Sequence, residues 1–162
     1  MKDADRMLLV KLFPPSHIKP DLAARTKEEL FEELIDFLCE SQPCKDKDRL
    51  LAELWKRERM LNTVIAPSIA LPHASIRGYK PPAGIFGVSH GGIDYKSEDG
   101  APVRIVLMLI DDWYETQTHL MILRNASRMI GSPNFFSKIM GCRMAEEVHA
   151  IITEIDEVQY PW

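Results

Sequence analysis

Cysteine, basic charge and long apolar runs are all scarce in this chain, and each shortage removes a class of function. Cys39, Cys44 and Cys142 are odd in number and lack C-x-x-C spacing. They read as three reduced, partly buried thiols with no redox or zinc role. Twenty lysines and arginines face 24 aspartates and glutamates, a formal net charge of −4. A general affinity for nucleic acid or anionic membrane needs the opposite balance. The longest strongly apolar run, Ile105 to Ile110, is bounded by Arg104 and Asp111, far short of the roughly 20 residues that span a bilayer. The N-terminus has no cationic start leading into an apolar signal core, so the chain is expected to be cytoplasmic, without stable membrane insertion. G-x-x-x-x-G-K-[ST] and G-x-G-x-x-G are both missing, which leaves no sign of a nucleotide cradle.

What remains is ordinary globular material: 162 residues, 46% apolar, with 11 prolines scattered through the chain. One domain covering 1–162 is expected, with its core over about 8–155. Met7 to Phe13 suits an opening strand or an interfacial segment, stopped by Pro14, Pro15 and Pro20. Thr26 and Glu29 form a capping box for a helix through Leu30, Leu34, Phe37 and Leu38, ending near Cys39 to Glu40. Asp46 or Asp48 caps a second helix that buries Leu50, Leu51, Leu54 and Trp55. Val64 to Leu71, interrupted by Pro67, reads as a loop entering a short strand at Ile69 to Leu71. Ile85 to Val88 and Val103 to Ile110 are further strands, the latter apolar almost throughout as expected when both faces of a sheet are covered. Thr116 or Thr118 opens a helix through Leu120, Leu123, Ala126, Met129 and Ile130. Ser132-Pro133 opens a short one, and Met144 to Ile155 is the last. The expected class is α/β, a single sheet with helices on both faces.

Two histidines stand where polar groups interrupt apolar element ends. His73, in Leu71-Pro72-His73-Ala74, ends a buried-type strand behind a proline that restricts the backbone on both sides. His119, in Thr118-His119-Leu120, falls in the first turn of a helix, where the dipole disfavours imidazolium and keeps the ring neutral with one hydrogen bond to donate. No carboxylate or cysteine at ligand spacing accompanies them, so a metal site is not expected. Taken alone, Arg57 is a helix-end cation and Ser68 a loop hydroxyl. His17 and His90 read as loop residues and His149 as a helix-surface residue.

Arg57-Glu58-Arg59-Met60, Ser68-Ile69-Ala70-Leu71-Pro72-His73-Ala74 and Thr116-Gln117-Thr118-His119-Leu120, in this order, resemble the motifs of the fructose/mannitol-type (type-2) IIA domains of the bacterial phosphoenolpyruvate-dependent phosphotransferase system. That branch includes the free-standing nitrogen-regulatory IIA protein. Gly91-Gly92-Ile93-Asp94-Tyr95 and Asp99-Gly100-Ala101-Pro102-Val103 extend the resemblance, which covers about Thr26 to Ile155. It implies a single mixed central sheet flanked by helices. It implies His73 as phosphoryl acceptor, phosphorylated at the tele nitrogen. His119 then hydrogen-bonds the phosphoryl group, Arg57 balances its charge, and Ser68 adds a hydroxyl. No cofactor or metal is implied.

The implied partner is an HPr-type phosphocarrier protein. Downstream there would be either a IIB component of the sugar-transport type or regulatory targets such as sensor kinases or potassium transporters. The T-x-T-H-L match and the lack of an attached IIB or membrane segment favour the regulatory type. Nitrogen-regulatory members read S-T-G-I-G-N-G-I-A-I-P-H before the active histidine, whereas Val64, Ala66 and Ser68 replace glycines here and Pro67 replaces asparagine. Valine and proline do not adopt the same backbone, so the loop must follow another path. That departure motivates the competing reading, a IIA-like interaction module that is not phosphorylated.

Overall fold

The structure is a computed structural model that describes residues 9–112 and 114–159. Its six strands are β1 (Ile18–Lys19), β2 (Val64–Ala66), β3 (Ile69–Ala70), β4 (His73–Ser75), β5 (Ala83–Ile93) and β6 (Val103–Asp111). The helices are α1 (Leu9–Leu12), α2 (Lys27–Ser41), α3 (Lys47–Met60), α4 (Thr116–Ile130), α5 (Phe135–Met140) and α6 (Ala145–Gln159). The strands form one mixed sheet in the order β1-β5-β6-β3-β2, with β4 also beside β6. β5 and β6 are antiparallel, and β3 and β4 run parallel to β6. One face packs Phe86, Val88, Ile105, Leu107 and Leu109 against α1, α4, α5 and α6. The other packs Ile85, Val106, Met108 and Ile110 against α2 and α3. With both faces covered, β6 is buried along nearly its whole length, which is why it reads as an almost unbroken apolar run. Among the described residues no helix is long and apolar enough to cross a membrane.

Helix starts follow the side-chain chemistry in two cases and not in a third. Thr26 Oγ1 accepts the Glu29 N–H at 3.2 Å while Glu29 Oε2 accepts the Thr26 N–H at 3.3 Å, a reciprocal cap. Asp46 accepts the Arg49 N–H at 3.0 Å and opens α3. At α4 neither Thr116 nor Thr118 is the cap. Glu115 holds the N-cap position with no side-chain cap bond. Within α4, Leu120 is exposed and Ile122 is buried in its place.

Four further expectations need correcting. Leu9–Leu12 is helix, held by Asp156 of α6, whose buried carboxylate accepts the Val10 N–H at 2.8 Å. Met7 and Leu8 lie outside the described residues. Val64–Ala66 is a strand, paired antiparallel with β3 across Pro67-Ser68, and Ser68 takes the positive φ (62°) that the turn requires. His90 lies within β5, half-buried, rather than in a loop. Cys39 and Cys44 are joined in a disulfide; Cys142 alone is free, and buried. α2 ends at Ser41 and the chain turns back through Gln42-Pro43, so the two Cα atoms stand 5.0 Å apart, within bridging range. An i, i+5 pair across a helix end has no sequence signature.

α3 buries Leu50, Leu54 and Glu58 at four-residue spacing, so a carboxylate takes the third apolar position. Its Oε1 pairs with Lys27 Nζ at 3.0 Å, and its Oε2 accepts from Thr63 Oγ1 at 2.6 Å and Tyr95 OH at 3.2 Å. Thr63 is 3% exposed and Tyr95 is fully buried. This network fastens the last turn of α3, and with it Arg57, to the start of α2 and the end of β5. Removing one member of a buried pair strands the other charge. Glu58→Ala is therefore expected to lower the unfolding free energy by about 3 kcal/mol, with Glu58→Gln costing less because it still accepts from Thr63. Urea denaturation followed by circular dichroism measures both; a loss below about 1 kcal/mol for the alanine would deny the network this role.

Candidate functional site

Pro72 splits what would be one strand beside β6 into β3 and β4, because it has no N–H to give the ladder. Its carbonyl still accepts the Leu109 N–H at 3.0 Å, and the Leu71 N–H goes to the Thr63 carbonyl at 2.9 Å. His73 therefore begins β4 rather than ending a strand, opposite Leu109, with the backbone before it tied to two neighbouring segments. Its ring Nδ1 lies 2.9 Å from the Leu71 carbonyl. A carbonyl only accepts, so Nδ1 carries the proton and Nε2 keeps its lone pair. That lone pair accepts the Arg57 Nε–H at 3.2 Å, while Arg57 Nη1 donates to the Leu61 carbonyl at 2.9 Å. Burial, followed by the charges of Arg57 and His119, pushes the His73 pKa below its ordinary 6.5, with the Leu71 carbonyl opposing. The ring is held neutral, with its tele nitrogen nucleophilic.

His119 is the fourth residue of α4, its ring centroid 5.8 Å from that of His73. Its Nδ1 is hydrogen-bonded to Asp111 Oδ2 at the end of β6, and Asp111 Oδ1 accepts from Ser75 Oγ at 2.5 Å. Asp111 is 4% exposed. This carboxylate raises the His119 pKa above 6.5, against opposing contributions from burial and Arg57. The helix N-terminus by itself would keep His119 neutral; the adjacent buried carboxylate acts the other way and favours the imidazolium. The chemistry also favours this outcome. A carboxylate only accepts, so Nδ1 is protonated in either charge state, and a second N–H at Nε2 exists only in the imidazolium.

The structure therefore brings His73, His119 and Arg57 together in one open cavity of about 290 Å³, with Glu53, Lys56, Met60 and Ser75 completing its lining. It does not bring Ser68 there. Ser68 sits at the β2–β3 turn, its carbonyl accepting from Arg104 and Ile105, whereas His73 lies opposite Leu109. At about 3.3 Å per residue along β6, that is roughly 13 Å away. Among the described residues no cluster of three or more histidine, cysteine, aspartate or glutamate side chains could hold a metal ion. Sequence reasoning misses Asp111 and Ser75 as site residues. Their one signal is a carboxylate closing an apolar strand, which motif spacing does not reveal.

The profile of a family described as "Phosphoenolpyruvate-dependent sugar phosphotransferase system, EIIA 2" matches residues 11–155. The chain belongs to this family. It is 26% identical to the "PTS system fructose-specific EIIABC component" of Bacillus subtilis, a match that takes in 93% of this chain but 24% of that longer protein. It is 24% identical to the "Nitrogen regulatory protein" of Pseudomonas aeruginosa over 93% of this chain and 98% of that one. The solved structure of nitrogen regulatory protein IIA-Ntr from Neisseria meningitidis superposes with a TM-score of 0.81 at 27% identity, covering 90% of this chain and 99% of that chain. The type-2 IIA fold expected from the motifs is thus the fold of this chain. The names of these relatives divide between a fructose-specific phosphotransferase component and nitrogen regulatory proteins.

Proposed function

We propose that this IIA domain carries a phosphoryl group on Nε2 of His73, receives it from an HPr-type phosphocarrier protein, and serves mainly as a regulatory IIA of the nitrogen-regulatory type. The observation that carries the reading is the fixed tautomer of His73: Nδ1–H on the Leu71 carbonyl and an Nε2 lone pair turned toward Arg57 and His119. As the carrier's N–P bond breaks and the Nε2–P bond forms, charge lies on three equatorial oxygens, so catalysis consists of alignment and placed positive charge. The Arg57 guanidinium leaves Nε2 and turns its N–H groups to those oxygens, and the His119 imidazolium donates from Nε2. The positive charge that develops on the His73 ring is shared through Nδ1–H with the Leu71 carbonyl.

Val64, Ala66 and Pro67 favour no other reading once their place is considered. They belong to the β2–β3 hairpin, and none of them lines the cavity at His73. The match over nearly the whole nitrogen regulatory protein of Pseudomonas aeruginosa supports the regulatory role. The test is incubation with phosphoenolpyruvate, enzyme I and HPr, followed by mapping of an acid-labile phosphate. Label on His73 supports the reading, and no label points to an interaction module instead. Offering the labelled chain a fructose-type IIB separates the two downstream roles, since ready transfer to the IIB cysteine indicates sugar transport.

A pH dependence follows from the opposed shifts. Transfer requires His73 neutral and His119 protonated, so the rate rises through an apparent pKa below 6.5 and falls through one above 6.5. Rapid-quench labelling across pH is expected to give this bell. The alkaline limb should vanish in His119→Ala, a control that removes any contribution from titration of the donor.

A further inference from the structure

The bridge between Cys39 and Cys44 is poorly placed as a structural staple. It joins residues only 5 apart in sequence, and cross-linking so short a loop constrains the unfolded chain least. The two helices it connects hold together without it. Leu34 and Leu38 of α2 and Leu50 and Leu54 of α3 are buried in one core, and the ring centroids of Phe31 and Trp55 stand 4.6 Å apart. Each helix also has its own cap, at Thr26 and at Asp46.

The two sulfurs have different surroundings. Cys39 lies half-buried in the last turn of α2. Cys44, in the turn between the helices, lines a depression of about 280 Å³ together with Lys45, Arg49, Arg77 and Lys80. Among the described residues that line it, Asp46 is the one acid, and its Oδ1 accepts the Arg49 N–H at 3.0 Å. Lys80 is paired with Glu115 at 2.7 Å. Among the described residues Lys45, Arg49 and Arg77 enter no ion pair; Arg77 rests over the Tyr114 ring at 4.8 Å. The depression shares no lining residue with the cavity at His73. A disulfide at the wall of a cationic depression is placed to exchange with a thiolate that carries further negative charge.

We infer that Cys39–Cys44 is a thiol–disulfide exchange site for low-molecular-weight thiols bearing carboxylates, with Cys44 as the exchanging sulfur and Cys39 as the resolving one. The incoming thiolate attacks Cys44 Sγ and forms a mixed disulfide. The Sγ–Sγ bond breaks toward Cys39, which leaves as thiolate and takes a proton from water. A second thiolate attacks the sulfur of the bound thiol and releases the small-molecule disulfide, so two thiols are oxidised and the bridge is reduced. In reverse, the Cys44 thiolate attacks a small disulfide and Cys39 closes the bridge. Lys45, Arg49 and Arg77 attract the carboxylates and stabilise negative charge on the exchanging sulfur. This chemistry does not depend on the phosphoryl reading.

The test compares glutathione, which carries carboxylates at both ends, with its diethyl ester as reductants of the full chain. Each rate is divided by that of the same thiol with bis(2-hydroxyethyl) disulfide, which removes differences in thiol reactivity. At about 20 mM salt glutathione is expected to lead by about tenfold, against the repulsion that the chain's net charge of −4 would impose. The lead should shrink to about twofold at about 300 mM salt, and likewise in the double variant Arg49→Gln, Arg77→Gln. Acid quenching, maleimide capping and peptide mapping of the half-reduced chain should find glutathione on Cys44 and maleimide on Cys39. Cys39→Ser, which cannot close the bridge, should hold one glutathione on Cys44 after treatment with glutathione disulfide.

Equal normalised rates, a faster ester, or glutathione mapped to Cys39 overturns the inference. So does a bridge that neither thiol opens in the folded chain. If the lead of glutathione survives at full size in the double variant, the cations do not form the site and the inference falls as well.

Discussion

His73→Ala is expected to leave no acid-labile phosphate on the chain under conditions that label the wild type completely, with the fold intact. The loss is total rather than partial because the geometry offers no second nucleophile. Nε2 of His119 lies in the same cavity, but Asp111 holds that ring toward imidazolium, and a protonated nitrogen has no lone pair to attack with. Ser75 Oγ donates to Asp111, and its hydroxyl lacks a free base to activate it. The same reasoning fixes the isomer. Because Nδ1 is committed to the Leu71 carbonyl, phosphorus NMR of the labelled wild type should show the tele phosphohistidine alone. A pros signal, or label persisting in His73→Ala, would overturn the assignment of the acceptor. The half-buried His73 sits in an open cavity, so the alanine variant creates no sealed void and its unfolding midpoint should stay near that of the parent.

Much of the fold and site is legible in the amino-acid sequence, for identifiable reasons. The capping box at Thr26 and Glu29 is a local rule and appears in the fold unchanged. The apolar run of β6 reports two-sided burial directly. Motifs mark His73, Arg57 and His119, and the three converge although they come from β4, α3 and α4. What stays hidden depends on tertiary partners. Glu58 takes an apolar position in the α3 pattern and makes sense only with Lys27, Thr63 and Tyr95 around it. Ser68, adjacent to the motif in sequence, lies at the far end of β3, because an extended segment carries its ends apart. The charge state of His119 cannot be read from its own helix, because the group that decides it comes from β6.

That last point yields the second large effect. His119→Ala removes a charged donor aimed at the migrating phosphoryl group and is expected to slow transfer to His73 by about 10²–10³-fold, the usual cost of losing one placed donor. Asp111→Asn leaves the imidazole in place and changes only what holds it. The amide oxygen can still accept Nδ1–H, but a neutral partner no longer stabilises the imidazolium, so the His119 pKa falls toward or below 6.5. Near pH 7.5 most molecules then present an Nε2 lone pair to the phosphoryl oxygens, and the rate should drop by roughly tenfold or more. Lowering the pH toward 6 should recover part of that rate in Asp111→Asn and none of it in His119→Ala, because only the former still has a ring to protonate. NMR titration of His119 in wild type and Asp111→Asn reads the same change without turnover. Should the titration midpoint be unmoved while the rate falls, Asp111 would be fixing the position of the ring rather than its charge, and the imidazolium would lose its place in the transfer step.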